Sequence, residues 1–83
     1  MREELKLYRC IFLKENKSYI IGKDIFNSKI YYIKKNEETE NFRIGTDNSF
    51  YAIKEEYGTL FKKVILNVIN YESVIKMTIQ KKM

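Results

Sequence analysis

The chain has no histidine, no proline and no tryptophan, and it spreads one cysteine and three glycines over 83 residues. Each shortage excludes something. Without histidine there is no side chain whose ordinary pKa lies near neutrality, so the common acid–base, Ser–His and Cys–His arrangements cannot be built. One cysteine without histidine cannot assemble the usual zinc ligand sets. A lone cysteine also forms no disulfide framework within the chain, and it fits a reducing, cytoplasmic setting. Cys10 stands in the apolar stretch Leu7-Tyr8-Arg9-Cys10-Ile11-Phe12-Leu13 and reads as a small core residue. Gly22, Gly45 and Gly58 are too far apart to cradle a phosphate and read as bulge, turn or cap positions. No Gly-x-Ser-x-Gly elbow gives a serine the setting of a nucleophile.

Long hydrophobic runs are also missing. The most apolar stretch, residues 64–71, is broken by Asn67 and Asn70 and falls far short of the roughly 20 residues of a membrane helix. The start, Met1-Arg2-Glu3-Glu4, is charged and does not read as a secretory signal. A soluble protein without a membrane partner is expected. No proline or Gly/Ser-rich tract marks a linker, so residues 1–83 are expected to form a single small β-rich domain.

The carboxylates do not pair in a catalytic pattern. Glu37, Glu38 and Glu40 lie in the polar segment 34–41 and read as a solvated loop, while Asp24 and Asp47 are isolated. Asp47-Asn48-Ser49 does not continue into a calcium loop. The reading is a non-catalytic chain with no metal and no cofactor. The competing enzymatic reading is a histidine-free ribonuclease that would position a phosphodiester with Arg9, Tyr31, Arg43 and Lys63, but their spacing does not select them.

Period-2 patterns dominate what is present. Residues 5–14 alternate, with Leu5, Leu7, Ile11 and Leu13 on one face and Tyr8, Cys10 and Phe12 on the other. A turn at 15–17, a strand at 18–25 with Gly22 at a bulge, a tight turn at Asn27-Ser28 and a strand at 29–35 follow. A short strand is expected at 41–45. Residues 49–57 read as a short helix ended by Gly58, because Ile53, Tyr57, Leu60, Phe61, Val64 and Ile65 follow helical spacing and Glu55 and Glu56 favour helix. The competing reading makes Phe50 to Ile53 a strand and 55–58 its hairpin turn. Strands at 59–69 and 74–81 complete the chain. The fold class is therefore mainly β, with α+β as the alternative: a small five- to six-stranded antiparallel barrel or curled sheet with one short helix near 49–57. Three strands, a helix and two strands is the order of a five-stranded OB-type barrel, and of other small β folds.

The net charge is +5 and the pI about 9.3. Of 16 basic residues only Arg2, Arg9 and Arg43 are arginine, which leaves thirteen lysines, and this bias fits an AT-rich coding sequence as well as a polyanionic partner. The sharper signal is aromatic residues interleaved with lysine: Lys17-x-Tyr19, Lys29-x-Tyr31-Tyr32-x-Lys34-Lys35 and Phe42-Arg43. Lysines that neutralise phosphates beside rings that stack on bases are the equipment of single-strand binders. The candidate nucleic-acid-binding residues are Tyr19, Lys29, Tyr31, Lys35 and Arg43. A second signal is excess apolarity at 64–69. Phe61, Ile65 and Ile69 would line one strand face, and an uncovered face would be an interface with a partner protein or with a second copy as a homodimer. On that alternative the chain is a small inhibitor or accessory protein of a phage or mobile element.

Overall fold

The computed structural model describes residues 5–58, 60, 62–70 and 72. Five strands, β1 (Leu5–Glu15), β2 (Tyr19–Asp24), β3 (Ile30–Lys34), β4 (Asp47–Tyr57) and β5 (Lys63–Ile69), close into a barrel in the order β1-β2-β3-β5-β4. All neighbours pair antiparallel except β3 and β5, which run parallel with Tyr32 opposite Ile65 and Ile33 opposite Leu66. The sheet is thus mixed, where antiparallel pairing throughout was expected. The 3-10 turn Glu37–Thr39 lies in the crossover from β3 to β4. This is the Greek-key order of an OB-type barrel, an architecture that carries no function by itself.

Strand parity decides which residues fill the barrel. Tyr8, Cys10 and Phe12 of β1 point inward and are buried, while Leu7 and Leu13 of the opposite face are exposed. Ile20 joins them from β2, Tyr31 and Ile33 from β3, Phe50 and Ala52 from β4, and Leu66 and Val68 from β5. Phe42, from the crossover, lies stacked on Phe12 at 4.5 Å between ring centroids and packs on Phe50 at 5.3 Å. An interior that holds this many rings needs small neighbours. A Cβ on Gly22 would come within 2.9 Å of Ile33 Cδ1 and 3.2 Å of Cys10 Cβ. The bulge expected near Gly22 lies across the ladder on β1, where the register slips between Phe12, opposite Gly22, and Lys14, opposite Ile21.

The turns follow local chemistry. Asn16 Oδ1 accepts from the amides of Ser18 and Tyr19 at 2.9 and 2.8 Å. Asp24 Oδ1 accepts from the amides of Phe26 and Asn27, and Ser28 takes up the positive φ of 63° that the turn requires.

Three expectations are corrected. Residues 49–57 are strand, not helix: Phe50 and Ala52 face inward, and β4 is hydrogen-bonded on both sides, to β1 and to β5, which outweighs the helix preference of Glu55 and Glu56. Gly58 (φ 95°) ends that strand. Residues 41–45 form no strand but a turn held by Phe42 N–H on Thr39 O, Thr46 N–H on Arg43 O and Gly45 N–H on Phe12 O. Helical structure between the third and fourth strands is confined to Glu37–Thr39, in the stretch read as loop. The strand expected at 74–81 lies outside the described residues.

Candidate nucleic-acid interface

The outer surface of the barrel carries a second apolar layer. Ile21, Tyr32, Ile65 and Glu55 stand in direct cross-strand register on β2, β3, β5 and β4. Ile21 and Ile65 are buried although they lie outside the core cluster, so neighbouring side chains cover them from outside. Tyr19 and Tyr32 meet edge to face at 6.0 Å. Lys63 lies over both rings, its ammonium 4.8 Å from the Tyr19 centroid and 4.5 Å from that of Tyr32. A cation shared by two ring faces keeps its charge at the surface while its methylenes cover apolar area.

Beside this cluster lies a depression of about 340 Å³ lined by Tyr19, Lys34, Glu55, Tyr57, Lys63 and Ile65. Its one carboxylate is held by neutral donors. Tyr57 Oη donates to Glu55 Oε2, and Asn67 Nδ2 donates to Glu55 Oε1. The hydrogen bond to Glu55, then the carboxylate's charge, raises the pKa of Tyr57 above the ordinary phenol value. Neither Lys34 nor Lys63 is ion-paired with Glu55 or with any other described acid, whereas Glu56 takes Lys54 at 3.2 Å and Lys62 at 3.9 Å. Lys17 is exposed in the turn leading into Tyr19. The surface therefore joins three tyrosines to two lysines, neither of them ion-paired among the described residues.

The residues singled out from the sequence are scattered by the fold. Tyr19 is on this surface. Tyr31 points the other way: it is 6% exposed and packs edge to face on Tyr8 at 5.4 Å, so its ring offers no face to a ligand. Lys29 is exposed in the β2–β3 turn. Lys35 bonds Glu15 at 3.3 Å, and with Arg43 it lines a separate depression of about 390 Å³ beside Phe42. Arg43 donates to Glu40 O. Of the apolar set, Ile65 is buried in the outer layer, Ile69 is half-buried, and Phe61 lies outside the described residues. Nor does the fold gather the ribonuclease set. Arg9 is engaged with Asp47 at 2.6 Å and Ser49 at 3.1 Å, Tyr31 is in the core, and Lys63 covers the two rings.

Tyr32, Lys34, Tyr57 and Glu55 were not among the residues singled out from the sequence for this surface, and Lys63 entered only with the ribonuclease set. For Tyr32 the signal was present, since it adjoins Tyr31 with opposite parity. Lys34, two residues on along β3 and in the same lysine–tyrosine segment, shares that signal, whereas Glu55, Tyr57 and Lys63 reach the surface through the β3–β5 and β4–β5 pairings, which no local pattern announces. No family model, curated protein or solved structure matches the chain.

Proposed function

We propose that the protein binds single-stranded nucleic acid across the outer surface formed by Tyr19, Tyr32, Tyr57, Lys34 and Lys63, and that it acts by binding and not by catalysis. The observation that carries the reading is Lys63 lying over Tyr19 and Tyr32 together. An ammonium that sits on two ring faces is already beside the place where a phosphate would lie if bases took those faces. On binding, the lysine leaves the rings for a phosphate and the rings take up bases. Two further points support it. The surface spans β2 and β3, the strands across which barrels of this architecture accommodate oligonucleotides, and Lys17 and Lys62 stand in the flanking β1–β2 and β4–β5 loops.

The test is fluorescence anisotropy with labelled DNA and RNA single strands at about 50 mM salt, where electrostatic binding is strong. Three phosphate contacts, by Lys17, Lys34 and Lys63, give a log–log salt slope of about −2, and Lys63→Ala reduces it by about 0.7. Tyr19→Ala and Tyr32→Ala each weaken binding by about 1–3 kcal/mol. Tyr31→Phe, altered only in the interior, leaves affinity unchanged. Absence of binding to every strand at low salt would end the proposal. Docking of a partner protein through Ile65 and Ile69 has less support, because Ile65 is already covered and Ile69 is half-buried.

A further inference from the structure

Glu55 is out of place on a surface meant for phosphates. A carboxylate there repels the backbone of a nucleic acid, and an ion pair with Lys34 or Lys63 would silence it. Instead, each of its oxygens receives one neutral donor, Tyr57 Oη on Oε2 and Asn67 Nδ2 on Oε1. A carboxylate oxygen has two acceptor positions. One on each oxygen thus remains, on a group whose orientation is set from both sides. Glu55 also shares the depression with Tyr19 and Tyr57, the rings on which a base would be laid.

We infer that Glu55 reads the edge of a stacked base and makes the surface selective for guanine. The inference rests on the nucleic-acid-binding reading of the same surface. The acceptor position that remains on each oxygen is what a pair of adjacent N–H donors would take. Guanine offers them on its Watson–Crick edge, N1–H beside the 2-amino group. Adenine and cytosine place an acceptor next to their amino group, and uracil and thymine flank their single N–H with carbonyls. Bidentate hydrogen bonds to an ionised carboxylate are the strong kind, and splayed-out single-stranded bases are commonly read on this edge.

The experiment measures binding of the full chain to oligothymidylates carrying isolated guanines, and to the same strands with adenine or inosine at those positions. Adenine matches guanine in ring size and tests stacking alone. Inosine keeps N1–H and lacks the 2-amino group. Guanine strands bind about tenfold tighter than adenine or inosine strands, within the range of one bidentate base contact. Glu55→Gln, the same shape without the charge, brings the three within about twofold while affinity for plain oligothymidylate holds or rises. Equal binding of the three strands by the unaltered protein, or a guanine preference that survives Glu55→Gln, overturns the inference and leaves the binding reading standing. Failure to bind any strand overturns both.

Discussion

At Gly22 the barrel has no room for a methyl group. The two atoms in its way are Ile33 Cδ1 at 2.9 Å and Cys10 Cβ at 3.2 Å, and both residues are fully buried. Gly22→Ala overpacks the interior and is expected to cost about 1–3 kcal/mol. Ile33→Val removes the nearer obstructing atom and by itself costs about 0.5–1.5 kcal/mol. In the double variant the relief offsets part of both losses, so urea denaturation should return less than the sum of the single effects. Strict additivity would mean that Gly22 is not held small by Ile33. Cys10 offers a pH test. Burial first, and then the charge of Asp24, pushes its thiol from 9.0 up to about 12. Between those values the unfolded chain releases a proton that the folded chain keeps, so the folded state binds more protons and loses stability as pH rises from about 9 towards 12. The slope from this one group is at most about 1.4 kcal/mol per pH unit. Tyrosines and lysines titrate in the same range, and comparison with Cys10→Ala isolates the thiol's share. The same burial leaves the native thiol unreactive towards a disulfide-exchange reagent at pH 8, and unfolding exposes it.

Between β3 and β4 the side chain of Asn36 ties the crossover to β5. Asn36 Oδ1 accepts from Glu38 N–H at 2.7 Å, its own N–H donates to Thr39 Oγ1 at 3.1 Å, and its Nδ2 donates to Val68 O on β5 at 3.1 Å. The capped turn places Thr39 in the interior and leads the chain to Phe42 on Phe12. Asn36→Ala is expected to destabilise the protein by about 1–2 kcal/mol. Asn36→Asp, which keeps the cap and loses the Nδ2 donor, should fall between the two in chemical denaturation. Elements differ in how plainly their sequence declares them. The strands β1 to β3 and their turns are legible because alternation, Asn16 and Asn27-Ser28 act within a few residues. β4 was obscured because Ile53, Tyr57 and Leu60 also satisfy helical spacing. What settles it is a hydrogen-bonded ladder on each side, contributed by residues far away in the chain.

Closure of the whole molecule creates the surface proposed to bind nucleic acid. Lysines alone made a polyanionic partner no more than compatible with the composition. Lys63 over Tyr19 and Tyr32, and Lys34 beside Tyr57 in the same depression, bring cations and rings together on that surface. The sequence by itself determined a small β-rich chain without the parts of common catalytic or zinc sites, a buried Cys10, and Tyr19 beside lysine, because composition and period-2 alternation are local properties. Only the tertiary structure decided that Tyr31 turns inward while Tyr32 turns out, that Lys63 reaches both outer rings, and that Glu55 stands among them. Strand parity is set by register, and register by a parallel β3–β5 pairing and a β4 closed on both sides, which short-range patterns do not encode.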